Sequence, residues 1–355
     1  MTTTMTPKDE DLAPSKPKLD GRDILVRYGF IAVTVLFFVY FAATIPAFRT
    51  TSTMFSMLKF TSVVAIAGLG VTVTMVVGGL DLSVGATAGM SVTVAAMTMV
   101  IYAQQGSVAV IAVLAAGAII GAINALLIVA MKIPDLLATL ATMFLIQGLK
   151  LVPVDGQSVS SGLILRDGTV APGKFTPGFL EINRGSLSLG PLDIPYPVII
   201  FAVIAVLTWF LLARTKWGRV MYAIGSNPEA ARLAGARVGR YKAAAYMISG
   251  MYASIAGLIL ASRIGQGDIS AGNSLLLDAV AVALVGTSVL GASKPNAFGT
   301  ALGAILIGIL LTGTTMMNFQ YYWQDVVKGF VLLVALVFSF TLSRKKQRFV
   351  AAVPL

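Results

Sequence analysis

One short polar stretch, residues 78–85, carries a conspicuous acid between two long apolar runs. Its glycines can end one helix, because glycine adopts left-handed backbone angles without steric cost, and Asp81 or Ser83 can cap the next helix. An ionisable residue beside a membrane span is a candidate for function, either as a gate or as an ion site. We expect capping and gate geometry, since no second acid or histidine offers an ion relay. The residues of this predicted gate turn are Gly78, Gly79, Asp81, Ser83 and Gly85.

A second polar stretch, residues 227–235, predicts a short capped helix. Either Asn227 caps it with Pro228 at the first helical position, or Ser226 caps it and Glu229 completes a capping box. So short a helix is not stable alone and must be held by packing. Its alanines, with Leu233 projecting, suit a groove on a partner, although a plain surface helix fits the same pattern. The residues of this helix and its caps are Asn227, Pro228, Glu229, Ala230, Ala231, Arg232, Leu233, Ala234 and Gly235.

Several kinds of chemistry are excluded by what the chain lacks. It has no cysteine and no histidine, so disulfides, thiolate chemistry and the commonest metal ligand are absent. No phosphate-binding Gly-x-x-x-x-Gly-Lys-Ser/Thr loop and no nucleophile paired with a base appears. The sequence therefore predicts no catalytic residues, no metal site, no cofactor and no ATPase site on this chain.

The elements that must position these stretches are membrane helices. Of the residues, 57% are hydrophobic and only 12% are charged, and apolar runs near the ~20 residues that cross a bilayer recur throughout. We predict an all-α polytopic membrane protein with about ten spans, in which a duplicated unit of five spans would be inverted in the membrane. The spans are placed near residues 28–45, 58–78, 84–102, 108–130, 135–152, 196–213, 243–262, 276–292, 297–316 and 323–342.

The basic residues predict the orientation. The net charge is +11, but the lysines and arginines cluster beside apolar spans, which is typical of membrane topology and not of nucleic-acid binding. Both termini are expected on the cytoplasmic side. The predicted parts are a tail at 1–27, a transmembrane domain at 28–343 with an outer loop at 153–195 and a cytoplasmic loop at 214–242, and a tail at 344–355.

Some polar residues inside the spans could line a path for a hydroxyl-rich solute, and we single out Asn124, Gln147 and Thr287. Each could equally bond a neighbouring helix, which is the commoner role of such a side chain. Asp325 and Lys328 stand about one helical turn apart and could form an ion pair. The outer loop, rich in Gly and Pro, is expected to be a connector more than a docking face, with a small hairpin at residues 163–170.

The sequence resembles the permease subunits of bacterial ATP-binding-cassette sugar importers of the ribose, xylose and galactose group. The resemblance extends over most of residues 58–340, and its most specific segments are the gate turn and residues 217–235. Further matching segments are residues 134–143, 277–281, 286–288, 299–300 and 322–324. The chain departs from the usual pattern where it has Asn124-Ala125 and no acid late in its last span.

The resemblance implies a type II importer fold in the bacterial inner membrane and a transport subunit that is not itself an enzyme. It also implies three protein partners: a cytoplasmic ATPase that contacts the 227–235 helix, an external sugar-binding protein, and a second permease subunit, identical or different. The solute would be a sugar or polyol. The alternative is a secondary transporter driven by an ion gradient, with Asp81 as ion carrier, and an intramembrane enzyme is the remaining class.

Overall fold

The computed structural model describes residues 21–190, 192–288, 294–320, 322–330 and 333. Nearly all regular structure in these residues is helical. The helices are α1 (Gly21–Thr44), α2 (Thr51–Val76), α3 (Val84–Ile101), α4 (Gly106–Ala130), α5 (Asp135–Val154), α6 (Pro177–Arg184), α7 (Tyr196–Arg214), α8 (Lys216–Ser226), α9 (Pro228–Leu233), α10 (Val238–Ile264), α11 (Leu275–Ser288), α12 (Ala297–Met316) and α13 (322–330).

Seven of the described helices are long and apolar enough to cross a membrane: α2, α3, α4, α5, α7, α10 and α12. Two shorter apolar helices occupy Tyr28–Thr44 and Leu275–Thr287. These nine agree closely in position with nine of the predicted spans. The tenth prediction extends past the described part of α13, so the count of ten stays a prediction. The chain is a polytopic, all-α membrane protein.

The terminal tails are only partly described. Residues 1–20 and 334–355 lie outside the described residues, and the second of these ranges includes the whole predicted C-terminal tail. α1 begins at Gly21, inside the predicted N-terminal tail, because a helix continues through polar residues once its apolar part is anchored.

The centre of the bundle is α2, whose last five turns are almost entirely buried. It packs against α7, α10, α11 and α12, and α10 in turn packs against α3 and α4. Glycines make these contacts close: a Cβ at Gly70 would lie 3.2 Å from the backbone oxygen of Ser249, and one at Gly117 would lie 2.6 Å from that of Gly250. Small residues let helix backbones approach where lipid provides no hydrophobic force between helices.

The outer segment, residues 155–195, is folded, and its expected role as a connector stays a prediction. It contains the predicted hairpin, in which Ile164 bridges Val170, and a second hairpin with strands Ser186–Leu189 and Leu192–Pro195. Phe175 and Phe179 are buried in the main core. We call this segment the cap, and the end of the bundle that it covers the cap end.

α11 starts inside the bundle. The described part of α11 has 14 residues, and Leu275 at its start is buried. The loop before it, residues 265–274, turns back from the end of α10 until Gly272 meets the first turn of α3, where a Cβ on Gly85 would lie 2.8 Å from the Gly272 oxygen. Irregular backbone at such depth is tolerated because protein surrounds it.

Candidate functional site

The short helix predicted at residues 227–235 is present as α9, and the structure decides how it is capped. Asn227 is the N-cap, and its Oδ1 accepts a hydrogen bond of 3.0 Å from the Ala230 N–H. Pro228 takes the first helical position, where its missing N–H costs nothing. Ser226 instead donates to the Tyr222 carbonyl and belongs to α8, so the capping-box alternative is wrong. Gly235, with φ of +87°, follows the last turn.

The two faces of α9 differ in burial. Ala231 is buried, whereas Leu233 is 80% exposed and projects from the molecule. The expectation that Ala231 belongs to a small docking face is therefore wrong, because that side chain packs inward and is not available to a partner. The exposed residues of the stretch are Asn227, Pro228, Glu229, Ala230, Arg232, Leu233, Ala234 and Gly235.

The inward face of α9 is joined to the end of α2. Ala231 belongs to one apolar cluster with Val76 and Val77 at the end of α2 and with Met221 and Ile224 of α8. α8 is an amphipathic helix that the sequence analysis missed. The sequence feature that indicates this helix is the alternation of basic and apolar residues after Arg214, which is typical of a helix lying along a surface.

α8 touches the gate turn directly. A Cβ at Gly225 would lie 2.1 Å from the Val76 carbonyl oxygen, and one at Gly78 would lie 3.5 Å from the Cα of Gly225. Gly78 has φ of +82°, a conformation that other residues adopt only with strain. Backbone therefore meets backbone, and a displacement of α8 must displace the gate turn, since no side chain between them can absorb it.

Asp81 lies inside the bundle, 1% exposed. Its Oδ1 accepts bonds from the Ser83 N–H (2.9 Å) and the Ser83 hydroxyl (2.6 Å), and its Oδ2 accepts one of 2.7 Å from the Ser249 hydroxyl of α10. Asn124 of α4 donates to the Ser83 hydroxyl at 2.8 Å. Neither acid nor serine caps α3 with its side chain, which corrects the expectation of a simple cap: Asp81 fastens the turn to α10 instead.

This network sits well inside the bundle. Ser249 lies about 16 Å along α10 from Val238, at ~1.5 Å per residue. No lysine or arginine of the described chain forms an ion pair with Asp81. The carboxylate is thus satisfied by neutral donors.

Gly79 faces a second polar group between the helices. A Cβ there would lie 2.2 Å from the Tyr246 hydroxyl and 2.6 Å from Asp135 Oδ2. Asp135, at the start of α5, forms a partly buried ion pair of 3.2 Å with Lys242 of α10. A cavity of about 520 Å³ opens beside this pair and the gate turn.

α8 is also tied to the start of α12. The Tyr222 hydroxyl donates a hydrogen bond of 2.7 Å to the Pro295 carbonyl. Burial raises the pKa of this hydroxyl above its usual value, so it remains a donor at any physiological pH.

The three residues proposed for a solute path are not brought together. Asn124 is buried in the Asp81 network, Gln147 is half-buried on α5, and the Thr287 hydroxyl donates to the Leu284 carbonyl of its own helix. No hydrogen bond joins any two of them in the described part of the chain. Their role in a path stays a prediction, and the contacts of Asn124 are structural.

Buried charges near the cap end were only partly predicted. Lys328 pairs with Asp325 at 3.7 Å, as expected, but lies closer to Asp278 of α11, at 3.0 Å. Lys150, which the sequence analysis passed over, is buried on α5 and approaches Gly89 of α3. The sequence feature that indicates it is a lone cation at the end of an apolar span. No cluster of three or more carboxylates that could hold a metal occurs among the described residues.

Comparisons with known proteins bear on this arrangement. The ribose import permease protein RbsC of Escherichia coli is 34% identical over 302 residues, which cover 85% of this chain and 88% of that protein. The xylose transport system permease protein XylH of Haemophilus influenzae is 31% identical, over 93% of this chain and 100% of that protein. The galactose/methyl galactoside import permease protein MglC of the same organism is 28% identical, over 92% and 97%. No solved structure matches.

A family model also matches, over residues 53–336, and its description is "Branched-chain amino acid transport system / permease component". That range includes the gate turn, the cap, α8, α9 and the Asp278–Lys328 pair. The matched range and the relatives extend over most of the chain, so the bundle as a whole is shared and not one motif alone. The chain belongs to the permease family that this model describes.

Proposed function

We propose that this chain is the permease subunit of an ATP-binding-cassette importer, and that it moves a sugar or polyol delivered by an external binding protein. Three curated relatives named for ribose, xylose and galactose support this solute class. The observation that carries the proposal is α9, a capped helix with an exposed Leu233 on one side and a buried Ala231 packed against α2 and α8 on the other. A partner can press on the face that carries Leu233, and the face that carries Ala231 can transmit the displacement to α2 and α8.

The proposed mechanism is alternating access driven by a separate ATPase. Closure of the ATPase on ATP displaces α9, and α8 carries the displacement to the gate turn through the close contact between Gly225 and Val76. The Asp81 bonds to Ser83 and Ser249 then move the start of α3 relative to α10. No covalent chemistry on this chain enters the cycle, and no cofactor is needed on it.

The proposed setting is the inner membrane of a bacterium, with both termini and α9 in the cytoplasm and the cap outside. The basic residues around α8 and α9, among them Arg214, Lys216, Arg219 and Arg240, favour this orientation. The complex would contain a second permease subunit, identical or different, a cytoplasmic ATPase and the external receptor.

The test is Leu233→Glu in the complete importer. Leu233 makes no inward contact, so the substitution should leave the permease folded and in the membrane, while a charge in the apolar groove of the ATPase should reduce uptake about tenfold or more, equivalent to ~1.4 kcal/mol of lost docking. The matched control is Leu189→Glu on the exposed second hairpin of the cap. Full uptake by Leu233→Glu would contradict the coupling role of α9.

A further inference from the structure

A polar cavity of about 320 Å³ lies near the cap end, between α2, α10, α11, α12 and α13. It sits at the start of α11, the helix that begins inside the bundle. Its volume is at the small end of the ~300–1,000 Å³ typical of ligand pockets. Its wall includes Gly272, which lies against Gly85 at the end of the gate turn, but the cavity is distinct from the one beside Gly78 and Gly79, and the mechanism above does not use it.

Two charged groups of this cavity are unusual for their depth. Asp278 is almost fully buried, and Lys328 reaches it from α13, with Nζ 3.0 Å from Oδ1. Arg263, at the end of α10, lies with its guanidinium 5.7 Å from the centre of the Phe60 ring and forms no ion pair within the described chain. Burying the Asp278 and Lys328 charges between membrane helices is costly, so this pair marks a functional site by default, while Arg263 is exposed at the rim.

The charges balance. Arg263 and Lys328 contribute two positive charges, and Asp268 and Asp278 contribute two negative charges. A cavity for an anion or a cation would carry an excess of the opposite sign, whereas this one offers donors and acceptors without net charge. That composition suits a neutral, hydroxyl-rich ligand.

The rest of the wall fits the same chemistry. Ser274 and Gln324 add neutral polar groups, and Phe60 and Val64 form an apolar side. A monosaccharide ring presents hydroxyl groups around its edge and C–H groups on its faces, so it needs both kinds of surface at once. Pockets of this type fix orientation with a few polar groups against an apolar lining.

We propose that this cavity is a transient binding site within the permease for a neutral monosaccharide, occupied after release from the external receptor. The proposal rests on the proposed function for its solute class. It adds a recognition site on this chain, with Arg263, Gln324 and the Asp278–Lys328 pair as the groups that contact the sugar hydroxyls.

The absence of cysteine from the whole chain makes a direct test available. Ser274→Cys places one thiol at the cavity wall, because Ser274 is exposed there and its side chain carries no hydrogen bond in the described structure. The complete importer in lipid nanodiscs is alkylated with a small neutral maleimide, with and without D-ribose, D-xylose or D-galactose at millimolar concentration. At least one sugar should slow labelling about threefold or more, since protection follows occupancy.

Two controls separate occupancy from other effects. Ser186→Cys, exposed on the second hairpin of the cap, should label at the same rate with every sugar. Adding Gln324→Leu should abolish protection at Ser274→Cys, whereas the matched change Gln157→Leu, at an exposed position of the cap, should preserve it.

Labelling and uptake are read separately, so the two proposals fail separately. Unchanged labelling with all three sugars, or protection that survives Gln324→Leu, overturns the cavity site even if the importer moves one of them. Protection in an importer that requires no ATPase for uptake supports the cavity site and overturns the proposed function.

Discussion

Asp81 shows how a buried acid can be structural in a transport protein. Its carboxylate accepts three hydrogen bonds from neutral donors on the turn and on α10, and Asn124 secures the same serine from α4. An ion carrier needs a neighbour that exchanges an ion or proton with it. Within the described chain Asp81 bonds only to serines and forms no ion pair, although Tyr246 and the Asp135–Lys242 pair lie beside Gly79. Asp81 is therefore better suited to hold three segments together.

We therefore expect Asp81→Ala to destabilise the fold and Asp81→Asn to be mild. Alanine leaves the Ser83 N–H and the Ser83 and Ser249 hydroxyls without an acceptor. We expect the free energy of unfolding to fall by about 3 kcal/mol for the three bonds together. This lies between three times the value for charge-assisted bonds in water-soluble proteins and three times the value for bonds between membrane helices. Asparagine keeps one acceptor oxygen for Ser83, and its amide can donate to Ser249. Thermal unfolding in detergent measures the loss of stability in Asp81→Ala, and ATP-driven uptake measures the activity that Asp81→Asn retains.

The control for Asp81 is Thr142→Val, a buried hydroxyl that donates only within its own helix. Its free energy of unfolding should stay within about 0.5 kcal/mol of that of the unchanged protein, because the substitution leaves no buried donor or acceptor without a hydrogen bond. Loss of uptake in Asp81→Asn with unchanged stability would instead favour the ion-gradient alternative, because that change removes only the charge.

At the scale of elements, α9, α8 and the gate turn behave as a chain of close contacts. Ala231 packs into the same cluster as Met221 of α8 and Val76 of α2, and the backbone of Gly225 lies against the backbone of Val76. Close-packed interfaces change between discrete arrangements and do not deform smoothly. A partner that pushes on α9 would therefore move the gate turn as a unit.

Gly225→Ala tests this chain of contacts. A methyl group 2.1 Å from the Val76 oxygen cannot be accommodated without shifting α8 or α2, and overpacking of this kind costs about 1–3 kcal/mol. We expect uptake to fall about tenfold. ATP hydrolysis by the partner should persist, since α9 itself is unchanged. The measurement is the ratio of solute imported to ATP hydrolysed.

The matched control is Gly148→Ala on α5, where no atom lies within 4 Å of the added Cβ. It should preserve coupling and can raise helix stability by up to ~1 kcal/mol. An equal loss of coupling in both variants would contradict a specific role for the α8 contact.

For the whole molecule, the two ends of the bundle must face different compartments. Residues 155–195 form a compact cap at one end, while the basic α8 and α9 lie at the other. From the positive-inside rule we expect the basic end to face the cytoplasm. Orientation also decides which cavity opens first to solute: the one near the cap or the one beside the gate turn.

Single cysteines can measure the orientation. We expect Ser186→Cys in the cap to react with a membrane-impermeant maleimide in intact cells, and Ser226→Cys at the end of α8 to react only after permeabilisation. Both sites are exposed and the natural chain has no thiol, so no background labelling competes. The opposite pattern would reverse the proposed topology and place α9 out of reach of a cytoplasmic ATPase.

Local patterns were sufficient for most elements. In lipid a long apolar run forms a helix, because a helix makes all of its backbone hydrogen bonds within itself. Nine predicted spans therefore lie close to apolar helices of the structure. The capped helix at α9 was predicted because Asn, Pro and Gly act on neighbours a few residues away. The number of spans and the inverted halves remain predictions.

What the sequence determined by itself is the lipid surroundings and the positions of most long helices, because these depend on residues close together in the chain. Only the tertiary structure decided that Ala231 faces inward, that Asp81 bonds Ser249 across 168 positions, and that Asp278 meets Lys328 at the wall of a cavity. Such pairs depend on how helices pack, and a helix pattern specifies an apolar stripe but not which distant helix will lie against it.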